Sequence, residues 1–266
     1  MNVFSFGSYY PGESPLHRLD PRAKLLLGCA FIIIALCARN VAALGAVAVF
    51  VAALYLASRI PLGYAARSLA PLLFIVVVAS LLNLFVNQEG AVLVEWAFVR
   101  ITTGGVGACL FIAARLVLIL LGMSLITMTT PTLDLTEALE KLLSPFARFR
   151  LPAHELGMIM GIALRFLPQF ATELVTVYHA QISRGAELDS SPVRGMRMLS
   201  SLMIPLFTSA FRHAETLSAA MDARCYHGGE GRTRLRQLKY AGKDWAVLVF
   251  FLVIAVLVGV LGHFGL

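Results

Sequence analysis

Apolar residues are gathered along this chain into long runs that short polar stretches separate. Five of these runs approach the roughly 20 residues that a helix needs to cross a bilayer, and they cover residues 25–38, 41–57, 71–86, 106–128 and 245–264. Only Arg39 and Asn40 separate the first two runs, which predicts a tight helical hairpin. The pattern predicts an all-α polytopic membrane protein with about five transmembrane helices.

A different pattern fills the chain between the fourth and fifth runs. Basic residues there outnumber acidic ones, and apolar residues recur at helical spacing over two long segments, 153–185 and 193–226. This indicates folded helices rather than a linker. We therefore predict three parts: an N-terminal membrane domain of four spans at 1–131, a cytoplasmic domain with two long helices at 132–243, and a C-terminal transmembrane helix at 244–266.

Composition and charge support the membrane assignment and set the orientation. The chain is 59 % hydrophobic and 14 % charged, with a mean hydropathy of +0.81, which excludes an ordinary soluble domain of this size. A net charge of +7 is typical either of nucleic-acid binding or of the positive-inside bias, and the clustering of basic residues between apolar runs favours the second. With a cytoplasmic N-terminus and an outer C-terminus, the outer loops hold only Arg39 and Arg100.

Two local features concern the membrane part. Asp20 and Pro21 predict the start of the first helix, because Asp suits the N-cap and Pro the first helical position; Arg22 and Lys24 would then lie at the headgroup level. Arg115 lies inside the fourth run. A charge within a span is a functional-site hypothesis by default, and the alternative is that Arg115 reaches outward or packs against polar groups between helices.

The two long segments share a proline near the middle, Pro168 in one and Pro205 in the other. Each proline removes a backbone hydrogen bond, so we expect each helix to kink or break there. Gly157 and Gly161 form a GxxxG pattern, which predicts close packing at a helix crossing rather than a ligand site.

Both long segments also end in an arginine that small residues flank. The first ends in Ser183-Arg184-Gly185 and the second in Ala223-Arg224-Cys225. A guanidinium at a helix end can enter an acidic groove on a partner, since its planar fork matches a carboxylate. The alternative is a basic residue that only complements the helix dipole, and the paired occurrence favours the partner contact.

The sequence gives little support for a nucleotide-binding, catalytic or metal-binding site. There is no GxxxxGK[ST] phosphate loop, no HExxH motif, and no Cys/His set with metal spacing. Two His–Glu neighbours, His154 with Glu155 and His213 with Glu215, are isolated pairs on predicted helices. We therefore expect no catalytic residue, no metal site and no cofactor bound by this chain.

At several motifs the sequence resembles the transmembrane T component of energy-coupling factor (ECF) transporters, the EcfT/CbiQ family. The resemblance covers nearly the whole chain. Besides the two arginine tripeptides, its marks are Leu16-His17-Arg18-Leu19-Asp20-Pro21-Arg22, Leu135-Thr136-Glu137-Ala138-Leu139, Ala163-Leu164-Arg165-Phe166-Leu167-Pro168 and Asp222-Ala223-Arg224-Cys225-Tyr226.

The resemblance implies a coupling subunit in a prokaryotic cell membrane. Two cytoplasmic ABC ATPases would hydrolyse ATP with Mg²⁺, and a membrane S component would capture a vitamin or other micronutrient. In this family, paired coupling helices seat in grooves of the ATPases, so Arg184 would engage one ATPase and Arg224 the other. The family often has Ala-Arg-Gly at both places; here the flanking residues differ while the arginines remain.

Other interpretations remain open at this point. One is a T component dedicated to cobalt or nickel uptake. Another is a stand-alone carrier, although no inverted repeat of the spans is visible; a membrane enzyme is a third. The transported substrate is not predicted, because the resemblance implies that the S component selects it.

Overall fold

The computed structural model describes residues 9–12, 14–86, 89, 91–96, 99–145, 152–185, 192–228 and 242–263. The helices in this part of the chain are α1 (Pro21–Cys37), α2 (Val41–Ser58), α3 (Leu62–Val86), α4 (Thr103–Thr129), α5 (Thr132–Leu143), α6 (Ala153–Ser183), α7 (Pro192–Ala223) and α8 (Gly242–His263). A small antiparallel hairpin, β1 (Val92–Trp96) with β2 (Val99–Thr102), precedes α4. The predicted all-α polytopic fold class is confirmed.

Four of the described helices are long and apolar enough to cross a membrane. Three of them, Val41–Ser58, Leu69–Val86 and Thr103–Thr129, have mean hydropathies of 2.3 to 2.6. The fourth, His154–Ser183 in α6, reaches only 1.3. The apolar stretch of α8 is shorter, at Val247–Gly262, and α1 has 17 residues, in keeping with the short first run.

The chain divides into two compact units. The larger comprises Gly7–Leu139 with Gln237–Leu266, and the smaller contains Glu140–Arg236. The boundary at 139/140 lies within α5, whose last turn belongs to the smaller unit, and so it follows the sequence-based boundary at 131/132.

The core of the larger unit lies where α1, α2, α4 and α8 meet. The Phe50 ring packs edge-on against Phe251 at a centroid distance of 5.0 Å and lies 6.3 Å from Phe31. Glycines let α1 and α4 approach closely: a Cβ at Gly122 would lie 2.2 Å from the Phe31 ring, and one at Gly28 would lie 2.4 Å from Ile126. Gly28 and Gly122 therefore permit the close contact between α1 and α4.

Two cations join α1 and α4 at opposite ends. Lys24 exposes only 6 % of its surface, and its Nζ donates to the Thr129 carbonyl at 3.0 Å and the Thr130 hydroxyl at 2.9 Å. The Arg115 guanidinium of α4 donates to the carbonyl of Ala38, the C-cap of α1. Each helix thus supplies a cation to the last carbonyls of the other, which fixes them antiparallel.

These contacts define the surroundings of both cations. The Lys24 side chain is buried, and its ammonium group donates to the last residues of α4. Arg115 follows the second of its two interpretations and packs against a polar group between helices. The face of the Phe111 ring, 4.6 Å from its Cζ, adds a cation–π contact.

The segment before α1 also closes the end of α4. The Tyr10 N–H donates to the Met128 carbonyl at 2.9 Å, and the Tyr10 carbonyl accepts from His17 Nε2 at 2.9 Å. His17 Nδ1 lies 2.7 Å from the Ser14 hydroxyl. Asp20 is the N-cap of α1 as predicted, since its carboxylate accepts from the Arg22 N–H at 2.9 Å.

The two long helices do not break at their prolines, where we expected a kink or a break. α6 is continuous through Pro168, and α7 is continuous through Pro205. A proline ring leaves one carbonyl without its helical donor but keeps a helical φ, so the helix continues where flanking packing supports it.

We predict opposite effects for alanine at two glycines of the larger unit. Gly122→Ala should destabilise by about 1–3 kcal/mol, because its methyl group must displace the Phe31 ring. Gly45→Ala, in an exposed part of α2 with nothing within 4 Å of a Cβ, should be neutral or stabilise by up to about 1 kcal/mol. Thermal unfolding in detergent micelles measures both, and equal effects would contradict the close α1–α4 contact.

We also predict that Lys24→Met and Arg115→Met each destabilise by about 1–3 kcal/mol, since each leaves a helix-end carbonyl unpaired in apolar surroundings. Arg39→Met is the control, because Arg39 is exposed and forms no hydrogen bond or ion pair to a described residue. The same unfolding assay applies. Unchanged midpoints for Lys24→Met and Arg115→Met would show that the helix ends are satisfied in another way.

Candidate functional site

The first arginine tripeptide forms the end of α6. Ser183 is the last helical residue, and Arg184 is the C-cap, whose N–H donates to the Ala180 and Gln181 carbonyls at 3.2 and 3.1 Å. Gly185 follows with φ +85°, and its N–H donates to the Ile182 carbonyl at 2.9 Å. Backbone N–H groups therefore close this helix end, and they do not need the arginine side chain.

The second tripeptide ends α7 in the same way. Ala223 is the last helical residue, and the Arg224 and Tyr226 N–H groups both donate to the Met221 carbonyl at 3.1 Å. Cys225 takes the left-handed conformation with φ +53°. The residue after each arginine thus requires positive φ, which gives a physical reason for glycine there.

Both arginine side chains are exposed. Among the residues that the structure describes, neither Arg184 nor Arg224 forms a side-chain hydrogen bond or an ion pair. Because backbone donors already satisfy the helix ends, complementing the helix dipole does not occupy either guanidinium. Each presents its five N–H donors to solvent or to a partner.

The helices α6 and α7 pack antiparallel. Glu173 on α6 contacts Ser209 on α7. Met158, near the start of α6, contacts Tyr226, which lies just after the end of α7. The Arg224 turn therefore lies beside the start of α6, whereas Arg184 lies at its end. At 1.5 Å per residue the two turns are about 35–40 Å apart along α6.

A polar cluster holds the middle of the pair together. Glu173 accepts from the Ser209 hydroxyl at 2.8 Å and from His213 Nε2 at 2.9 Å, and Gln169 Nε2 lies 3.3 Å from the same carboxylate. The His213 ring stacks on Phe166 at a centroid distance of 5.7 Å. Charge-assisted bonds across two helices fix their register, because a slip would separate donors from acceptors.

A second set of contacts lies where α7 ends. The Tyr226 hydroxyl donates to Met158 Sδ at 3.0 Å and lies 3.5 Å from His154 Nε2. His154 Nδ1 is 3.2 Å from Glu140 Oε1. A Cβ at Gly157 would lie 2.4 Å from the Glu140 carboxyl group, so this glycine makes room for the carboxylate.

The remaining positions predicted from sequence lie apart from these contacts. A Cβ at Gly161 would meet nothing within 4 Å among the described residues, whereas one at Gly157 would meet the Glu140 side chain of α5. The sequence neighbours His154–Glu155 and His213–Glu215 are not the pairs that form. Each histidine pairs instead with a glutamate on another helix, Glu140 or Glu173, which only the tertiary packing brings near.

Within the described ranges, no group of three or more His, Cys, Asp or Glu residues could hold a metal ion. The four cysteines are free.

Comparisons with known proteins agree on one family. Residues 12–235 match the model of the family CbiQ, described as cobalt transport protein. A Bacillus subtilis (strain 168) protein named energy-coupling factor transporter transmembrane protein EcfT is 38 % identical over 258 residues, 97 % of each chain. Proteins of the same name are similar too: that of Thermosediminibacter oceani is 42 % identical over 94 % of each chain, and that of Acidaminococcus fermentans is 41 % identical over 90 % of each.

The two turns predict opposite effects of substitutions after the arginines. Gly185→Ala should destabilise the end of α6 by about 1 kcal/mol, because a Cβ is disfavoured at positive φ. Cys225→Gly should stabilise the end of α7 by up to about 1 kcal/mol for the same reason. Amide hydrogen exchange at the last turn of each helix measures both. A loss of protection in Cys225→Gly would contradict the left-handed turn.

Proposed function

The chain belongs to the CbiQ family, which includes the T components of energy-coupling factor transporters, and we propose that it couples two cytoplasmic ATPases to a substrate-capturing membrane subunit. It is a multi-pass membrane transport subunit. ATP and Mg²⁺ belong, in this proposal, to the ATPases, and the chain itself carries out no catalysis.

One observation carries the proposal: two matching arginine turns lie at opposite ends of an antiparallel helix pair. A separation of about 35–40 Å along α6 exceeds what a single small groove spans, and it suits contacts with two separate subunits. Arg184 would engage one ATPase and Arg224 the other. Neither arginine must give up a bond to a described residue before it binds.

The partner surface for each turn is expected to be acidic. A guanidinium pairs in bidentate fashion with a carboxylate, and such pairs are stronger than neutral hydrogen bonds. ATPases that use cellular ATP lie in the cytoplasm, so this proposal puts α6 and α7 there. It agrees with the positive-inside bias, which predicts a cytoplasmic N-terminus and an outer C-terminus.

An apolar face on α7 supports a second partner in the membrane or at its surface. Its large side chains lie on one side of the helix and are 55 to 73 % exposed: Met196, Leu199, Ile204, Phe207 and Phe211. A contiguous apolar surface of this kind marks a contact with protein or lipid. We assign it to the substrate-capturing S component.

The family description also names cobalt, which favours a second candidate, a T component dedicated to cobalt or nickel uptake. The relatives described above are named for the energy-coupling factor without a substrate. The substrate is therefore to be identified from the subunits that associate with this chain in its native membrane.

We predict that the affinity-tagged chain retrieves two ATPase subunits and at least one small membrane protein. Arg184→Ala and Arg224→Ala should each weaken ATPase binding by about 2–5 kcal/mol, because each leaves a partner carboxylate desolvated and unpaired. Thermal unfolding of the purified variants should be unchanged, since both side chains are exposed.

The control is Arg212→Ala, which removes an exposed arginine from the middle of α7. It should retain both ATPases and support substrate uptake. Parent-like ATPase recovery and uptake in the Arg184→Ala/Arg224→Ala double variant would refute the proposed contacts.

A further inference from the structure

We infer that the two arginine ends are unequal contacts: Tyr226 holds the Arg224 turn against α6, whereas the bonds of the Arg184 turn to described residues all lie within α6. This inference rests on the proposed role of both arginines toward ATPases. It makes Tyr226 a positioning residue, which His154 contacts and which Glu140 supports through His154.

The first step is the position of Tyr226, two residues after Arg224. Its N–H donates to the Met221 carbonyl and completes the turn, while its hydroxyl reaches Met158 Sδ and His154 Nε2 on α6. One residue thus links the backbone of the turn to a second helix. Cys225 between them has positive φ, which directs the chain from α7 back toward α6.

The second step is what keeps His154 in place. Its Nδ1 faces Glu140 Oε1 at 3.2 Å, and the Glu140 side chain is 13 % exposed. With Nδ1–H donating to the carboxylate, Nε2 carries no proton, so the single proton of the Tyr226 hydroxyl can be shared between Met158 Sδ and Nε2. Gly157 permits this arrangement, because any side chain there would occupy the carboxylate position.

Among the described residues, no side chain links the end of α6 to another helix as Tyr226 links the end of α7. The hydrogen bonds of 183–185 to described residues all stay within α6, as in the bond from the Ser183 hydroxyl to the His179 carbonyl at 3.0 Å. Gly185 adds backbone freedom at the tip, and a Cβ there would meet nothing within 4 Å. Within the described part of the chain, the Arg184 turn therefore depends on hydrogen bonds inside α6.

The consequence concerns the two partner contacts. A turn that is held in place loses less conformational entropy on binding than a turn that is not. The backbone at Arg224 is thus presented to its ATPase in a fixed position, whereas the backbone at Arg184 gains its further restraint when its ATPase binds. Loss of the Tyr226 hydroxyl should affect one ATPase contact and leave the other unchanged.

Nitroxide labels on the full-length chain in nanodiscs test the positioning without any ATPase. Cys29, Cys37 and Cys109 are replaced by Ala, and one label is attached at Cys225. The matched label is at Gly185→Cys in a Cys225→Gly background, so that both labels follow an arginine at positive φ. In the parent, the label at 225 should be less mobile than the one at 185.

Tyr226→Phe keeps the ring and removes the hydroxyl, and it should increase label mobility at 225 but not at 185. His154→Leu should do the same. His154→Gln retains a donor for Glu140 and an acceptor for Tyr226, so its spectrum should stay close to that of the parent. Unchanged spectra at 225 for both Tyr226→Phe and His154→Leu, or equal loosening at both positions, would overturn the inference.

Binding of the ATPase subunits that co-purify with the parent chain tests the consequence. Tyr226→Phe should weaken binding about 2- to 10-fold, the effect of one neutral hydrogen bond. Adding it to Arg224→Ala should weaken binding no further, whereas adding it to Arg184→Ala should weaken binding by both factors. Equal additivity with both arginine variants would overturn the assignment of Tyr226 to Arg224.

The label and binding experiments distinguish a failure of this inference from a failure of the proposed function. If neither arginine variant affects ATPase binding, the proposed arginine contacts fail, and the label spectra still report whether Tyr226 holds its turn. If both arginine variants lose ATPase binding and Tyr226→Phe leaves the mobility of the label at 225 unchanged, the positioning role of Tyr226 fails while the proposed arginine contacts stand.

Discussion

The last carbonyl groups of a helix need donors, and this structure depends on how each helix end obtains them. In the larger unit, α1 and α4 obtain them partly from the side chains of each other, Lys24 and Arg115. In the smaller unit, α6 and α7 obtain them from backbone N–H groups in left-handed turns. In the larger unit, Lys24 and Arg115 are engaged by the helix ends. In the smaller unit, Arg184 and Arg224 stay available to other molecules.

This difference separates the basic residues that close helix ends from those that stay exposed, which sequence alone could not do. Lys24 follows a predicted helix start, and the structure shows that its side chain is buried at the end of α4. Arg115 looked like a functional charge because it lies in an apolar run, yet it joins two helices. Membrane proteins satisfy backbone polar groups internally, and a cation at a helix end meets that requirement at moderate cost.

Local signals predicted well what is decided locally. Hydropathy located the membrane helices, Asp20 and Pro21 marked the start of α1, and small residues around two arginines marked the ends of α6 and α7. The antiparallel packing was not predictable, because the pairing of Glu173 with His213 and Glu140 with His154 depends on residues far apart in sequence. The hairpin before α4 was missed since its strands are short and form a two-stranded sheet. GxxxG spacing favoured Gly157 and Gly161, whereas the close α1–α4 contact uses single glycines on different helices.

Pro168 and Pro205 leave both long helices unbroken, and this has a mechanical consequence. Each helix is stiff on both sides of one missing hydrogen bond, so bending concentrates there. Beyond its proline, each arm extends about 24–29 Å to its arginine at 1.5 Å per residue. A change of about 10° in bend therefore displaces an arginine by about 4–5 Å, which makes each arm a lever whose small angular motion becomes a large movement at the tip.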